Sequence, residues 1–394
     1  MSKIKDLIKQ YCPNGVEYKK IDELCIVKTG GDTPQNCIKG QLFPSKEHPY
    51  PVYSNGTETY GYADSYRIDR DAVSISSIGN VGYVAYRSAY FTPIIRLKVL
   101  LPNTDILTTK FLYYALTAIT FVGTNSSLSS MKADDVKKYK IPVPPLPVQE
   151  EIVKVLDAFT ALEAELEAEL EARKRQYEYY RNKLLTFDEN TTGGGRIKFM
   201  QLGDVGTFIR GNGLQKKDFT DTGVGCIHYG QIYTYYGTFT ERTKSYVSNE
   251  LAEKLKKAQT GDLIIATTSE NVEDVGKAVA WLGNEDICIG GHSYAFHHNQ
   301  NPKYMAYLFQ TEAFNQQKKK VVKGVKVIDI NDSAMSKFKF GFPPLDEQER
   351  IVAILDKFDS LVNDISEGLP AELTARRQQY EYYRNKLLTF DEAA

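Results

Sequence analysis

QYEYYRNKLLTFDE occupies residues 176–189, and the same fourteen residues return at 379–392. The repeat extends upstream, because PPLPVQEEIVKVLDAF (144–159) corresponds to PPLDEQERIVAILDKF (343–358). Each copy thus begins with prolines and continues as a helical pattern. A period of about half the chain is too long for a solenoid. It indicates duplication of a whole module, a globular segment followed by a helix.

Weaker similarities lie between the helical copies. VEYKKIDELCIVKTG (16–30) resembles IKFMQLGDVGTFIRG (197–211) in its apolar positions, and KFLYYAL (110–116) resembles KYMAYLF (303–309). The helical copies match closely, so we expect them to share one role. The globular copies hardly match, so we expect each of them to have a role of its own. We divide the chain into an N-terminal helical segment (1–15), a first globular domain (16–143), a first helical region (144–190), a linker with a second globular domain (191–342), and a second helical region (343–394).

The first helical region has an apolar stripe with steps of three and four residues, which predicts a helix of about 40 residues. The stripe consists of Ile152, Val155, Leu156, Phe159, Leu162, Leu166, Leu170, Tyr177, Tyr180 and Leu184. In the second region Gly368 and Pro370 interrupt the pattern, and we expect a break or kink there because proline removes a backbone donor. The second copy is also four residues longer between Phe358 and QYEYY than the first is from Phe159.

Stripes of this length favour an antiparallel coiled coil of the two regions. The alternative is that each helix packs only on its own globular domain. Each helix ends in a tyrosine-rich segment with more aromatic rings than one seam can bury, and tyrosine is favoured at interfaces. We therefore predict a partner-binding face on the helices, with ordinary core packing as the alternative.

Composition narrows the class of protein. The sequence has no run near the ~20 apolar residues of a membrane span, and its N-terminus has no apolar signal-peptide core. Its five cysteines are scattered without a CxxC pair, which favours reduced thiols over disulfides or a zinc site. We expect a soluble cytoplasmic protein.

Charge is divided between the segments. Residues 16–143 have 15 basic and 12 acidic residues, and residues 196–342 have 19 basic and 15 acidic. Each helical region, in contrast, has 11 acidic and 6 basic residues. Mildly basic globular domains on acidic helices suit polyanion binding by the former and protein binding by the latter.

Motifs of catalysis are absent from the sequence. It contains no GxxxxGK[ST] phosphate loop, no GxGxxG after a strand, no HExxH and no GxSxG. His292, His297 and His298 lack carboxylate or cysteine neighbours at ligand spacing. We predict a chain that is not an enzyme by itself and that holds no metal or cofactor.

The globular domains alternate short β patterns with polar loops and contain helical stretches near 107–118 and 302–314, which predicts an α+β fold. Their loops are rich in side chains that contact base edges and phosphates, and KKKVVKGVK (318–326) has five lysines in nine residues. Solvated turns are the alternative for any single loop. The predicted DNA-contacting residues are Lys28, Thr33, Gln35, Ser54, Asn55, Thr57, Ser76, Ser77, Asn80, Thr124, Asn125, Ser126, Ser127, Lys132, Arg210, Asn212, Gln215, Lys216, Lys217, Tyr229, Gln231, Thr267, Thr268, Ser269, Asn271, Lys318, Lys319, Lys320, Lys323 and Lys326.

The segments PNGVEYKK (13–20), KKYKIPVPPLPVQEEIVKVLDAF (137–159) and RKRQYEYYRNKLLTF (173–187), with their second copies, resemble the specificity subunit of type I restriction–modification systems. The resemblance covers the whole chain. It implies two target-recognition domains, each followed by a repeated helical region, with an internal pseudo-two-fold repeat. It also matches the segments 79–82 and 274–277 to glycine-bearing hairpins of that fold.

The resemblance further implies a function. Each target-recognition domain would read one half of a bipartite, asymmetric site in double-stranded DNA, and the paired helices would set the gap. The partners would be two DNA methyltransferase subunits, which use S-adenosylmethionine, and two restriction subunits, which use ATP and Mg. We place the methyltransferase interface on the tyrosine-rich ends, at Tyr177, Tyr180, Leu184, Tyr380, Tyr383 and Leu387.

Two other functions are compatible with parts of the sequence. The chain could be a coiled-coil scaffold whose basic domains bind protein or RNA. It could also belong to a single-chain restriction enzyme, which the missing catalytic motifs and the short length disfavour.

Overall fold

The computed structural model describes residues 2–121, 130–189, 196–324, 326–364 and 366–393. The chain divides into two compact units. Unit 1 contains Met1–Glu167 and Glu372–Ala394, and unit 2 contains Ala168–Ala371. Each unit therefore combines one globular domain, called its head below, with one half of each helical region. The five-segment division drawn from the sequence stays a prediction.

The two helical regions differ in continuity. The first forms one helix of 40 residues, Leu146–Leu185. The second forms two helices, Leu345–Asn363 and Leu369–Leu388, on either side of a turn. The copy with the turn is the one that is four residues longer between its phenylalanine and QYEYY.

The predicted break at Gly368 and Pro370 is confirmed. The Gly368 N–H donates to the carbonyl oxygen of Asp364 at 3.1 Å. A Cβ at position 368 would lie 2.4 Å from the carbonyl oxygen of Ser360, so a larger residue would not fit the turn. Pro370 follows as the second residue of the next helix, where its missing N–H is not needed.

In unit 1 the two helical regions pack against each other as an antiparallel pair. The Phe159 ring stacks on the Tyr383 ring with centroids 5.5 Å apart. Arg377 donates from Nε to Glu163 at 2.6 Å and also binds Glu167. Because residue numbers fall along one helix as they rise along the other, the predicted antiparallel pairing is confirmed here.

Unit 2 repeats this packing with the other halves of the helical regions. Phe358, which is equivalent to Phe159, stacks on Tyr180 with centroids 5.5 Å apart. The Tyr177 ring stacks on Phe358 at 6.3 Å, and its hydroxyl donates to Asp359 at 3.1 Å. Aromatic residues at equivalent positions therefore form the helix pair in both units.

The head of unit 1 is an α+β domain. Its strands are β1 (Tyr18–Lys20), β2 (Cys25–Thr29), β3 (Ile38–Lys39), β4 (Tyr50–Tyr53), β5 (Thr59–Ala63), β6 (Ala72–Ile75), β7 (Val84–Arg87), β8 (Thr92–Pro93), β9 (Lys98–Pro102) and β10 (Lys140–Pro142). Its helices are Ser2–Tyr11, Ile21–Leu24, Thr109–Thr117 and Ala133–Lys137. One sheet has the order β2-β9-β6-β7, another β3-β5-β4-β8, and β1 pairs with β10.

The head of unit 2 is larger but follows the same plan. Its strands are β11 (Lys198–Gln201), β12 (Gly206–Arg210), β13 (Val224–Ile227), β14 (Phe239–Thr240), β15 (Ser245–Val247), β16 (Lys257–Ala258), β17 (Leu263–Ala266), β18 (Thr268–Ser269), β19 (Ala278–Trp281), β20 (Ile287–Ile289), β21 (Ser293–His298), β22 (Ile328–Asp329) and β23 (Lys339–Phe342). Its helices are Leu202–Val205, Tyr229–Thr234, Asn249–Ala252, Pro302–Leu308, Glu312–Lys319 and Asp332–Met335. The main sheet has the order β12-β21-β17-β19-β14, a second β15-β13-β20-β16, and β11 pairs with β23.

The four strands β2-β9-β6-β7 of unit 1 are therefore equivalent to β12-β21-β17-β19 of unit 2. The registers agree, because Lys98 pairs with Ile75 and Thr29 as Tyr294 pairs with Ile265 and Arg210. The weak sequence similarity between the heads thus reflects one repeated domain core.

Each head is attached to its helix by the same side chains. In unit 1 Lys110 and Tyr114 both bind the Asp157 carboxylate, the tyrosine hydroxyl at 2.6 Å. In unit 2 Lys303 and Tyr307 bind Asp356 in the same way, again with a 2.6 Å hydroxyl contact. Apolar stripe residues beside these carboxylates, such as Ile152 and Ile351, are buried in the unit cores.

Among the residues that the structure describes, no helix is long and apolar enough to span a bilayer.

Candidate nucleic-acid interface

In unit 1 several of the predicted loops meet at the end of β6. The backbone N–H of Ser77 donates to the Asn55 side chain at 2.7 Å, and the Ser77 carbonyl accepts from Met131 at 2.9 Å. The turn at residues 94–97 joins them, since the Ile95 N–H donates to the carbonyl of Gly31 at 2.9 Å. Segments far apart in sequence are thereby held side by side.

In unit 2 the equivalent loops meet at the end of β17. The Thr267 N–H donates to the His292 carbonyl at 2.9 Å, and the Thr267 carbonyl accepts from Ile330 at 3.0 Å. The Gly211 N–H donates to Ser293 at 3.0 Å. Position for position, Thr267 is the equivalent of Ser77, and Ile330 of Met131. We call this shared arrangement of strand end, turn and returning segment the loop platform.

The segments 79–82 and 274–277, matched by resemblance to glycine-bearing hairpins, each connect two antiparallel strands. Gly79, Gly82 and Gly276 have φ values of 74°, 85° and 80°, a region that side chains disfavour. Both heads therefore have these hairpins beside the loop platform.

A pocket of about 340 Å³ opens on the platform of unit 2. Its lining residues are Tyr229, Tyr233, Thr268, Ser269, Glu270, Asn271, Asp274 and Val327. Three segments distant in sequence, near 229–233, 268–274 and 327, supply these side chains. The exposed Glu270 carboxylate in it can accept a hydrogen bond from a base amino group. Sequence reasoning missed Glu270, because a search for basic and neutral polar loops passes over an acidic residue.

Four amide side chains predicted to read bases are occupied within the protein. Asn271 donates to Asp274 at 2.8 Å and accepts from its N–H at 2.7 Å. Asn55, Asn212 and Gln231 likewise each donate one hydrogen bond and accept another from a backbone N–H. Each amide keeps a second N–H and a second oxygen lone pair after these bonds. These residues shape the loops, and the DNA contacts predicted for them stay a prediction.

Five further predicted contact residues are buried. They are Ser76, Ser77, Thr267, Thr268 and Lys318. Lys318 is only 2% exposed and donates to the carbonyl of Glu273 at 2.9 Å, and burial lowers the pKa of its ammonium group to about 8. Lys318 is buried and has an internal partner, so its ammonium group does not face solvent here. The basic run therefore presents four lysines to solvent instead of five.

The remaining predicted residues keep access to solvent. The exposed ones are Lys28, Thr33, Gln35, Thr57, Asn80, Lys132, Arg210, Gln215, Lys216, Lys217, Lys319, Lys320, Lys323 and Lys326. Ser54, Tyr229 and Ser269 are half-buried. Thr124, Asn125, Ser126 and Ser127 lie outside the described residues.

The histidines beside the platform are not arranged as ligands. Burial lowers the pKa of His228, and the nearby Lys216 ammonium acts in the same direction. Its Nδ1 accepts a hydrogen bond from the N–H of Gly230 at 3.2 Å. No group of three or more histidine, cysteine or acidic side chains that could hold a metal occurs within the described parts of the chain.

The helical residues predicted to face a methyltransferase take part in packing within each unit. Tyr177 and Leu387 are 3% and 5% exposed, and Tyr180 and Tyr383 stack on the phenylalanines of the helix pairs. Tyr380 and Leu184 pack against the cores of their units. Tyr180, Leu184, Tyr380 and Tyr383 are half-buried, and the predicted methyltransferase interface stays a prediction.

In each copy of the repeat, one tyrosine next to these residues in the sequence is exposed. Tyr179 is 58% exposed and Tyr382 is 59% exposed. Lys183 lies over the first ring at 5.6 Å, and Lys386 over the second at 5.4 Å. Two identical surfaces therefore face solvent, one in each unit.

Known proteins share this organisation. The family model of the type I restriction modification DNA specificity domain matches residues 13–172 and again 196–375. A putative type I restriction enzyme specificity subunit of Haemophilus influenzae is 31% identical, with 95% of this chain and 96% of the relative covered. The EcoR124I/EcoR124II specificity subunit of Escherichia coli is 32% identical over 71% of this chain and 70% of its own length.

Solved structures agree in fold. The crystal structure of the type I restriction–modification S subunit from M. genitalium has a TM-score of 0.56 at 17% identity, with 95% of this chain and 96% of that one covered. A chain from a structural study of assembly and conformational transition of the type I system has a TM-score of 0.59 at 16% identity, with coverages of 95% and 98%. The repeated heads, the paired helices and these matches lead to one assignment: the chain belongs to the family of type I restriction–modification specificity subunits and has two target-recognition domains.

Proposed function

We propose that this chain is the DNA-recognition subunit of a type I restriction–modification complex and that each head reads one half of a bipartite, asymmetric site. The loop platform is the observation that carries the proposal. The strand end and the returning segment are arranged alike in both heads, but the exposed side chains differ, such as Arg96 in unit 1 and His292 at the equivalent place in unit 2. A repeated scaffold with divergent exposed residues suits the reading of two different sequences.

Charge supports the choice of DNA as the ligand. Exposed basic residues such as Lys28, Arg210 and Lys216 surround the platforms, and Lys319 and Lys320 extend the basic surface in unit 2. Such side chains neutralise phosphates and release counterions, which gives affinity without sequence preference. Since each head has only a small excess of basic residues, we expect weak binding by the free chain and tight binding by an assembled complex.

The helical repeats are the proposed docking sites for two DNA methyltransferase subunits. Packing within each unit explains why the buried residues of the repeat are identical. It does not explain why exposed Tyr179 and Tyr382, with Lys183 and Lys386, are identical too. Two equal surfaces are what two copies of one partner require.

The chemistry is assigned to the partners. We propose that this chain is not catalytic, that methyltransferase subunits bring S-adenosylmethionine, and that two restriction subunits bring ATP and Mg. The antiparallel helices would set the spacer between the two half-sites. A complex that acts on double-stranded DNA in this way would work in the cytoplasm.

A domain exchange tests the proposal. Residues 16–143 are replaced by the first target-recognition domain of another family member, and the exchanged chain is assembled with methyltransferase subunits. Methylated positions are then mapped by single-molecule sequencing. We expect one half of the methylated site to change and the other half to stay the same. Alteration of both halves together would refute independent reading by the two heads.

The competing function as a protein- or RNA-binding scaffold has its own test. Gel shifts with methyltransferase present compare duplex DNA with RNA of equal length and sequence. Preference for RNA, or binding to neither, would favour the scaffold.

A further inference from the structure

The turn between β8 and β9 in unit 1 has an unusual backbone. Ile95 has φ of 52° and Arg96 has φ of 60°, and the Leu97 N–H donates to the Ile94 carbonyl at 3.1 Å. Two consecutive residues with positive φ inside such a hydrogen bond are the mark of a type I′ turn, for which Asn-Gly is preferred. Isoleucine is strongly disfavoured there because its branched Cβ crowds the backbone. The turn is therefore strained as it stands.

Side chains of the loop platform hold this strained turn in place. The Asn55 amide donates to the Ile95 carbonyl at 2.5 Å. The Arg96 carbonyl accepts from the Ser77 hydroxyl at 2.8 Å and from the Lys98 ammonium at 3.0 Å. The Asn55 amide, the Ser77 hydroxyl and the Lys98 ammonium group are thus used inside the protein. Their structural role is to fix the turn.

The fixed turn directs two side chains outward. Ile95 is 48% exposed, and Arg96 is exposed as well. Among the described residues no acceptor binds the Arg96 guanidinium. The turn therefore fixes where the Arg96 side chain leaves the backbone, and its guanidinium, a cation with five donors, has no internal partner among those residues.

The equivalent turn of unit 2 has a different backbone. There the chain has Gly290, Gly291 and His292, and neither glycine lies in the left-handed region. Unit 1 instead keeps two large side chains on a backbone that favours glycine. Packing does not account for them, because both side chains face solvent.

We propose that the turn Ile95–Arg96 is a base-reading tip of the first head, in which Arg96 recognises a guanine through O6 and N7 in the major groove and Ile95 packs against the neighbouring base. This rests on the proposed function. A phosphate contact does not need a fixed direction, and flexible lysines supply it elsewhere on the surface. Guanine recognition benefits from a side chain that starts at a fixed place, because both donors of the guanidinium must meet both acceptors together.

The test uses the full chain assembled with methyltransferase subunits. Arg96→Ala and Arg96→Lys are compared with Arg70→Ala, a matched control at an exposed arginine paired only with Asp69. Binding is measured by competition with duplexes that change one base pair at a time within the half-site of the first head. We expect both Arg96 variants to lose about 5- to 150-fold discrimination at one guanine, as removal of one bidentate pair implies. The Arg70 variant should match the wild type.

A second variant separates reading from folding. In Ile95→Gly the backbone strain is relieved, so we expect a higher melting temperature together with weaker discrimination at the same or the adjacent base pair. Unchanged preference at every position in both Arg96 variants would overturn the inference. So would a uniform loss of affinity in Arg96→Ala that lysine restores, because that pattern means a phosphate contact. A wild-type complex without any bipartite specificity would instead refute the proposed function itself.

Discussion

The buried Gln149 side chain accepts a hydrogen bond from the backbone N–H of Thr108 at 2.9 Å. Thr108 caps the head helix Thr109–Thr117, so this bond connects the head to the long helix of the same unit. Gln348 accepts from the N–H of Asn301 at 3.0 Å, and Asn301 caps the equivalent helix Pro302–Leu308. One repeated glutamine therefore helps to orient each head on its helix, together with the contacts of Asp157 and Asp356.

Replacement of that glutamine should destabilise its unit. Gln149→Leu keeps the side-chain size but leaves the Thr108 N–H and two carbonyls that accept from Gln149 without partners. Unpaired buried groups cost about 1–3 kcal/mol each, so we expect a loss of at least that size in urea denaturation. Gln348→Leu should behave alike. Gln378→Leu, at an exposed position, serves as the control. Equal stability of Gln149→Leu and the control would contradict this role.

The stability of unit 2 should depend on one histidine in mild acid. Burial lowers the pKa of the His298 imidazole to about 4, and the neighbouring His297 adds to the effect. An unfolded histidine titrates near 6.5, so the unfolded chain binds more protons between these values. Stability is therefore present above pH 6.5 and falls as the pH drops toward 4, by about 2 kcal/mol at pH 5.

Denaturation at pH 7.5 and pH 5 measures this effect. His298→Gln should lose less stability than the wild type over that interval, whereas His292→Gln, at an exposed imidazole, should follow the wild type. The same loss in His298→Gln would show that other groups cause the acid sensitivity.

The basic run should act through its four exposed lysines. Simultaneous replacement of Lys319, Lys320, Lys323 and Lys326 by alanine should weaken binding to all DNA sequences. The slope of log K against log salt should become shallower by about 0.9 for each phosphate that the variant no longer neutralises. Lys318→Met is the matched control, since Lys318 is buried and its replacement should leave the slope unchanged. A shallower slope in that control, or an unchanged slope in the fourfold variant, would count against the assignment.

The two exposed tyrosines should set the number of bound methyltransferase subunits. Tyr179→Ala and Tyr382→Ala should each give a complex with one methyltransferase, and the double variant should bind none, because each ring belongs to a separate surface. The mass of the assembled complex distinguishes these cases. Tyr235→Ala, which removes a similarly exposed ring from a head loop, should leave two subunits bound. Retention of both subunits by the double variant would move the docking site elsewhere.

Much of the architecture could be predicted from the sequence because helices depend on contacts between near neighbours. The apolar spacing placed Ile152 and Leu156 on a packed face, and both are fully buried. Gly368 and Pro370 marked the break through their own backbone restrictions. The duplicated segments also indicated two equivalent modules. Local periodicity and repetition can be read directly from the chain.

The functional surface was decided by tertiary contacts. A polar loop residue has the same letters whether its amide faces solvent or binds the backbone of another loop, so Asn55 and Asn271 could not be told from free side chains. The apolar stripe includes Tyr177 and leaves out Tyr179, but whether the stripe packs within the chain or against another protein is decided by the position of the partner helix. Arg96 drew no attention in the sequence, because the backbone turn from which it projects depends on donors distant along the chain, such as the Ser77 hydroxyl 19 residues away. Such hydrogen bonds form only when the folded chain brings distant segments together. They determine which side chains remain free to bind.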